Sequence, residues 1–297
     1  MAEPRLTVVV CTHDRPTDLA RCLEALTALE QRVEVLVVDS ASALPCRDLV
    51  ESFARRLPKL RYFREGEPGL SRARNRGVAE ASGEFVAFVD DDAAPRPDWA
   101  TRILAAFDAD DRIGCVGGAC VAVFPGDVRP PSWLSERLLQ FAGITRFGPR
   151  AREARSSAEW PFGANIAFRV RALPEGRPFA EQLGRHASTL LSGEEAALVE
   201  RVRGAGWRIW LEPCAVVDHT VHQERLESRY YWRRLWWGGV SRARSTEVAS
   251  GLGVKLALAA PMRCLLYVLT RDRVHLYRTA ETAGFFAERA GLVRREA

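Results

Sequence analysis

The first hundred residues alternate between short apolar runs and amphipathic segments, and this alternation limits the fold more than any other feature of the chain. The apolar runs at 6–11, 33–39 and 84–90 are rich in Val, Leu and Phe. Between them, apolar residues recur at helical spacing, and Pro16 stands where a first helical residue would. The pattern predicts an α/β protein with a mostly parallel sheet and helices on both faces.

Polar side chains follow three of the predicted strands. Thr12 and Asp14 come after the first strand, Asp39 ends the second, and the triplet Asp90–Asp92 ends a later one. Because ligands of open parallel sheets bind outside the carboxyl ends of the strands, this convergence predicts a binding site. Neither a dinucleotide site nor a P-loop is supported, since G-x-G-x-x-G after the first strand and G-x-x-x-x-G-K-[ST] are both missing.

Three consecutive carboxylates repel one another unless a cation or hydrogen bonds compensate. A divalent metal, Mn²⁺ or Mg²⁺, would do so and would also bind the phosphates of a nucleoside diphosphate at this edge. The alternative is an acidic turn ahead of Pro95, because Asp is common in turns. The fully apolar strand before the triplet favours the metal.

Beyond residue 112 the pattern is less regular, and 146–157 shows no clear period. The remainder from residue 221 on is predicted to be helical, aromatic and basic. The expected elements in the rest of the chain include a helix at about 48–57, a Gly-rich strand at 113–124, a short strand at 166–169, a helix at 192–203 and a last strand at 207–211.

Charge is distributed unevenly along the chain. The net charge of +5 suggests a polyanionic partner. However, only Lys59 and Lys255 among the 43 basic residues are lysine, and this excess of arginine indicates codon bias. The basic charge is therefore weak evidence for nucleic-acid binding, and we expect no nucleic-acid partner. Residues 225–297 contain 14 basic and 6 acidic side chains, a net of +8. Residues 230–237 combine aromatic and arginine side chains on a helical period, which is typical of interfacial helices. Packing of the aromatic side chains in a core is the alternative interpretation. We expect this tail to favour peripheral contact with an anionic membrane.

The cysteines and the N-terminus predict a cytoplasmic protein, peripheral at the inner face of the membrane. The seven cysteines form no C-x-x-C pair, which is typical of reduced thiols. No secretory signal precedes the first strand. The most apolar window, 252–269, is interrupted by Lys255, Pro261 and Arg263, so we expect no transmembrane span.

Several motifs occur in a fixed order along the chain. They are Val-Val-Val-Cys-Thr-His-Asp-Arg-Pro16, Val-Leu-Val-Val-Asp39, Gly69-Leu-Ser-Arg-Ala-Arg-Asn-Arg-Gly77, Phe88-Val-Asp-Asp-Asp92, Phe162-Gly-Ala-Asn165 and Gly193-Glu-Glu195. Together, over about residues 5–245, they resemble the family 2 glycosyltransferases of GT-A fold. The resemblance implies a GT-A catalytic domain at 1–224, with a nucleotide and metal half at about 1–124 and an acceptor half at about 125–224. A helical C-terminal extension at 225–297 follows.

The resemblance also implies a site for a nucleotide-diphospho-sugar donor. Asp92 is the best metal ligand, and Asp90 and His219 are expected to complete the metal site. The expected donor-binding residues are Thr12, Asp14, Asp39, Arg74, Asp90 and Asp91. Gly163 and Asn165 are expected to line the acceptor or sugar side of the site. Alternatively, these two residues only form a turn.

The expected reaction is an inverting transfer to a hydroxyl of a glycan, a lipid-linked acceptor or a small molecule. The family's catalytic base is the second residue of an acidic pair, here Glu195 in place of the usual Asp, with Glu194 as the second candidate. A competing interpretation is a capping box, in which Glu195 reaches back to the backbone of Ser192.

Two other functions remain open on the sequence. A nucleotidyltransferase would need a Gly-rich phosphate loop after the first strand, and residues 11–16 contain no glycine. A non-catalytic protein that binds nucleotides or anions would use the same sheet edge and the basic tail without transferring a sugar.

Overall fold

The computed structural model describes residues 3–126, 128–156, 159–185, 189–245 and 252–293. Nine strands form one mixed, mostly parallel sheet, which confirms the predicted fold class. The strands are β1 (Leu6–Thr12), β2 (Glu34–Ser40), β3 (Leu60–Glu65), β4 (Phe85–Asp90), β5 (Ala93–Pro95), β6 (Ile113–Val123), β7 (Arg152–Glu153), β8 (Asn165–Arg169) and β9 (Arg208–Thr220).

Nine α-helices accompany the sheet in the described ranges, together with short 3₁₀ turns. Pro16 begins the first of them, as its missing N–H predicts. The helices are α1 (Pro16–Thr27), α2 (Arg47–Ser52), α3 (Leu70–Glu80), α4 (Trp99–Ala109), α5 (Glu136–Leu139), α6 (Glu194–Gly204), α7 (Ser228–Arg244), α8 (Leu252–Thr270) and α9 (Arg273–Arg289).

The sheet has the order β3-β2-β1-β4-β8-β6-β9-β5, and β7 pairs with β9. The β1–β2, β1–β4, β2–β3 and β6–β9 pairs are parallel, whereas β8 runs antiparallel to both β4 and β6. Alternate side chains of β1 face opposite layers: Val8 and Val10 lie in one hydrophobic core and Val9 in the other. Helices α1, α2 and α4 cover the first face, and α3 and α6 cover the second.

The described chain divides into two compact units. The first contains the sheet and comprises residues 1–123, 145–181 and 194–220. The second comprises residues 124–144, 182–193 and 221–297. The internal segments 124–144 and 182–193 thus belong to the same unit as the C-terminal residues. The division into two domains after residue 224 stays a prediction.

Within the second unit, α7 and α9 approach each other at two glycines. A Cβ on Gly239 would collide with the carbonyl oxygen of Glu281, and one on Gly284 would collide with that of Trp236. Tyr231, on α7, is fully buried in the small core of this unit. Part of the aromatic segment at 230–237 therefore packs as core, which was the second interpretation of its pattern.

Three elements differ from the sequence-based expectation. Helix α2 ends at Ser52, short of the expected Leu57, and β9 extends nine residues past the expected end at Leu211. His219 therefore lies inside the last strand, not after it. Helix α8 continues through Pro261. Among the described residues, this helix alone is long and apolar enough to cross a membrane. Its mean hydropathy is 1.6 over an 18-residue window, and 6% of that window is buried.

Candidate active site

Strand register brings the polar residues together at one edge of the sheet. Thr12 lies opposite Asp39 on β2, and Cys11 lies opposite Asp90 on β4. Both pairings are parallel, so the carboxyl ends of three adjacent strands meet there. The convergence that the sequence predicted is present in the first unit.

The carboxylates of Asp91 and Asp92 are buried and are held by side chains from the end of β1 and from the turn that follows it. Thr12 Oγ1 donates a hydrogen bond to Asp91 Oδ2 at 2.8 Å. Arg15 Nη1 lies 3.1 Å from Asp92 Oδ2 and 3.4 Å from Asp91 Oδ1. Burial raises the pKa of Asp91 to about 7, and the Arg15 guanidinium opposes this shift. One guanidinium thus relieves part of the repulsion between the neighbouring carboxylates.

Asp90, Asp92 and His219 form a cluster that could hold a metal ion. One ligand atom from each lies within 4.8 Å of the others. His219 Nε2 is 3.2 Å from Asp92 Oδ1, and both side chains are buried. Antiparallel pairing of β5 with β9 creates this proximity, because it places His219 opposite Ala93. Two carboxylates and an imidazole fit Mn²⁺ or Mg²⁺ and leave coordination positions for phosphate oxygens and water.

Arg74 connects the metal cluster to the acidic pair at the start of α6. The buried guanidinium donates from Nη1 to Glu194 Oε1 at 2.7 Å and from Nη2 to Asp90 Oδ1 at 3.3 Å. It also lies over the ring of Phe179, 5.6 Å from the centroid. A Cβ at Gly163 would collide with this guanidinium, so glycine is required at that position for Arg74 to lie where it does.

Glu194 and Glu195 differ in environment although they are adjacent. Glu194 is buried and bound by Arg74, whereas Glu195 is partly exposed. Within the described ranges, the Oε2 atom of each is buried without a hydrogen bond. Burial and the neighbouring Glu195 carboxylate raise the pKa of Glu194 to about 8, and Arg74 opposes the shift. At neutral pH this pair retains a proton that an exposed pair would lose.

Asp39 and Asp14 lie farther along the same edge. Asp39 is fully buried and accepts hydrogen bonds from the backbone of Ser42 and Cys46 and from the hydroxyl of Tyr62. Burial acts to raise the pKa of Asp39, but these hydrogen bonds outweigh it and the pKa is lowered. Asp14 is exposed, has a φ of 54°, and accepts from the backbone N–H of Ala43.

Asn165 is buried on β8, where it lies opposite Val89, the residue before Asp90 on β4. Its amide nitrogen donates to the carbonyls of Ala119 and Ala215, both at 2.9 Å, and its oxygen accepts from Trp99 Nε1 at 2.8 Å. These bonds connect β8 to β6, β9 and α4. Asn165 thus has a clear structural role, and its contact with a sugar or an acceptor stays a prediction.

Arg15 is the site residue that sequence reasoning missed. It follows Asp14 directly in a motif that we did identify, so its position was available. Its partners were not, because Asp91 and Asp92 lie more than 70 residues away along the chain. Only the parallel pairing of β1 with β4 brings the turn after β1 to the triplet.

A family model described as glycosyl transferase family 2 matches residues 7–173, more than half of the chain. The chain belongs to glycosyl transferase family 2. The match includes the first β–α turn, Arg74 and the acidic triplet. Membership makes the protein a glycosyltransferase and decides against the nucleotidyltransferase and non-catalytic alternatives.

Relatives within this family differ in length and role. The chain is 24% identical over 244 residues to the glucosyl-dolichyl phosphate glucuronosyltransferase of Haloferax volcanii, covering 80% of this chain and 76% of the relative. It is 28% identical over 264 residues to the succinoglycan biosynthesis protein ExoM of Rhizobium meliloti, covering 83% and 77%. The match covers only 46% of the pre-mycofactocin glycosyltransferase of Mycobacterium tuberculosis.

Solved structures support the GT-A fold. The mannosyltransferase PcManGT from Pyrobaculum calidifontis, in complex with GDP-Man and Mn²⁺, has a TM-score of 0.60 and 22% identity, with 98% of this chain and 88% of that chain covered. TarS 1–349 of S. aureus, in complex with UDP-GlcNAc, has a TM-score of 0.56 and 17% identity, with 98% and 93% covered.

Proposed function

We propose that the protein is a metal-dependent inverting glycosyltransferase that moves a sugar from a nucleotide-diphospho-sugar to an acceptor hydroxyl. The observation that carries this proposal is the position of Arg74, which contacts a candidate metal ligand through one nitrogen and the acidic pair of α6 through the other. A candidate metal ligand and Glu194, the neighbour of the candidate base Glu195, are thus held by one buried side chain. That arrangement suits substitution at an anomeric carbon.

The donor is a nucleoside diphosphate sugar, because carboxylates and an imidazole at the sheet edge suit a divalent cation bound to phosphates. Asp90, Asp92 and His219 would hold Mn²⁺ or Mg²⁺. That ion would neutralise the charge on the leaving nucleoside diphosphate. Two fold neighbours are complexes with GDP-Man and UDP-GlcNAc, which supports the donor class without selecting the base or the sugar. Thr12, Asp14 and Asp39 are proposed to position the base and ribose.

Glu195 is proposed as the base. Its carboxylate takes the proton from the acceptor hydroxyl while the acceptor oxygen bonds to the anomeric carbon and the bond to the diphosphate breaks. Attack from the face opposite the leaving group inverts the anomeric centre. Glu194 is the weaker candidate, because Arg74 already binds one of its oxygens and burial closes it off. Its proposed role is to position its neighbour.

A lipid-linked sugar is the acceptor class that we favour. The name of the Haloferax relative specifies a sugar attached to dolichyl phosphate, and the tail of this chain is basic. All seven cysteines are free thiols, which fits a cytoplasmic location. Contact with an anionic membrane would bring the enzyme to such an acceptor.

A donor screen tests the proposal. Release of nucleoside diphosphate is measured for UDP- and GDP-sugars with Mn²⁺, with Mg²⁺ and with EDTA, and NMR gives the anomeric configuration of the product. We expect turnover with at least one donor, loss of turnover in EDTA, and an anomeric configuration opposite to that of the donor. Turnover that is unchanged in EDTA would exclude the metal, and a retained configuration would exclude the base mechanism.

A further inference from the structure

Helix α8 exposes a continuous apolar surface in the second unit. More than half of each large side chain on this surface is exposed, whereas Leu256 on the same helix is buried. The exposed set, here called the α8 face, is Val254, Leu258, Met262, Leu265, Val268 and Leu269. Contiguous exposed apolar surface of this kind marks an interaction site more often than isolated apolar residues do.

The α8 face is a single stripe along the helix. Each member lies three or four residues from another member, and at 100° per residue the set falls within a sector of about 120° over a length of roughly 22 Å. The opposite side of α8 packs on α9: Arg263 donates to the carbonyl of Arg278 at 2.8 Å and to Thr282 Oγ1 at 2.9 Å. Packing on α9 therefore fixes which side of α8 faces outwards.

The exposed charged side chains on α8 and directly after it are cationic. Lys255 is exposed on the flank of the stripe, and Arg271 is exposed directly after the helix ends. The helix itself contains no acidic residue, and residues 225–297 carry a net charge of +8. A second copy of the chain would bring two such basic segments together, which is unfavourable, whereas anionic headgroups beside acyl chains complement both features.

We infer that the α8 face docks flat on a bilayer that contains anionic lipids. The apolar side chains enter the boundary between headgroups and acyl chains, and Lys255 and Arg271 lie at headgroup level. This inference rests on the proposed function, since it explains how the enzyme would reach a lipid-linked acceptor. It also assigns membrane contact to α8 and not to the aromatic segment at 230–237, where Tyr231 is core.

Sedimentation of the full chain with vesicles tests the docking. The vesicles are phosphatidylcholine alone or phosphatidylcholine mixed with phosphatidylglycerol, each at low and high salt. We expect binding to the mixed vesicles that weakens with salt, and release from them in alkaline carbonate. The double variant Leu258→Asp with Leu265→Asp should bind more weakly by on the order of tenfold or more, because each charge removes an apolar anchor.

Controls separate docking from folding and from catalysis. Leu44→Asp changes an even more exposed leucine in the first unit and should leave vesicle binding unchanged. Leu258→Ser gives a milder test if the double variant fails to fold by circular dichroism. Donor turnover without vesicles is measured in parallel: a chain that docks but shows no turnover would contradict only the proposed function.

Four results would overturn flat docking. The first is wild-type chain that does not bind the mixed vesicles. The second is equal binding by the double variant. The third is a dimer in sedimentation equilibrium that the double variant abolishes while vesicle binding is absent, which would assign the α8 face to a second copy. Resistance to carbonate would also reject flat docking, since it would indicate a helix that spans the bilayer.

Discussion

The two units depart from the usual distribution of polarity in opposite directions. The first buries charged groups: Asp92, Glu194 and Arg74 are each at most 3% exposed. The second exposes an apolar stripe on α8, where Leu258 is 73% exposed. Buried charge and exposed apolar surface both cost stability unless a ligand or partner compensates. The buried charged groups of the first unit therefore indicate where it binds a ligand, and the exposed apolar side chains of the second unit indicate where it contacts a partner.

The difference also separates what each surface recognises. The carboxylates and arginines of the first unit are held by hydrogen bonds of defined geometry, which suits a small ligand of fixed shape. The α8 face consists of exposed apolar side chains, which suits the boundary between lipid headgroups and acyl chains. Perturbing the two surfaces should therefore give separable results.

Asp92→Asn should have the strongest effect on catalysis. It removes a buried charge from the candidate metal cluster, so metal-dependent turnover should fall by about a thousandfold or more. Turnover is followed by release of nucleoside diphosphate at saturating Mn²⁺. Asp98→Asn, which changes a partly exposed aspartate just before α4, is the matched control and should retain activity. Equal activity in both variants would remove Asp92 from the metal site.

Glu195→Gln should lower transfer by roughly 10²–10⁴-fold, the range expected for loss of a general base. Donor binding should change little, because the amide keeps the shape of the side chain. Transfer is measured by product formation, and donor binding by calorimetry with nucleoside diphosphate and Mn²⁺. If Glu194→Gln has the stronger effect on transfer, the roles of the two residues must be exchanged.

Glu194 should make stability depend on pH. Its pKa is raised from 4.5 to about 8 in the folded chain, so the folded state keeps a proton that the unfolded state has lost. This contribution is fully present below about pH 4.5 and is lost as the pH rises through 8. As the pH rises from 4.5 to 8, the unfolding free energy of the wild type should therefore decrease by a few kcal/mol more than that of Glu194→Gln.

Urea unfolding at several pH values measures this difference. Glu200→Gln, on the same helix, serves as the control and should follow the wild-type curve. If the unfolding free energies of the wild type and of Glu194→Gln depend on pH in the same way, burial does not raise the pKa of Glu194.

Comparable leucines in the two units should respond differently. Leu23, on α1, is fully buried under the sheet, so Leu23→Ala should lower the unfolding free energy by about 2–5 kcal/mol. Leu258→Ser on the α8 face should change it by no more than about 0.5 kcal/mol. Calorimetric unfolding compares the two. A large loss for Leu258→Ser would mean that its side chain is covered in the folded protein.

Sequence periodicity predicted the fold of the first unit well because strands buried on both faces and helices with one apolar face have distinct spacings. It also placed Asp90–Asp92 at the sheet edge, since parallel strands share a direction. It did not predict that Arg15 reaches Asp91 and Asp92, or that Arg74 connects Asp90 to Glu194. Those contacts join residues that are distant along the chain.

The end of β9 and the exposure of α8 were missed for a different reason. Residues 212–220 contain proline and charged groups, and their pairing with β5 and β6 makes them a strand. In α8, the apolar period predicts which residues share a face, but only the tertiary structure shows that α9 covers the opposite face. The spacing of apolar residues therefore shows which residues share a face of a helix, but it does not show what that face packs against.

Nucleotide binding that depends on a metal ion is the decisive property of the proposed donor site. Isothermal titration calorimetry of UDP and GDP is performed with Mn²⁺ and with EDTA, on the wild type and on Asp92→Asn. We expect at least one nucleotide to bind the wild type with Mn²⁺, and we expect binding to be strongly weakened both by EDTA and by Asp92→Asn. Equal affinity in Mn²⁺ and EDTA, unchanged in Asp92→Asn, would contradict a metal site at Asp90, Asp92 and His219.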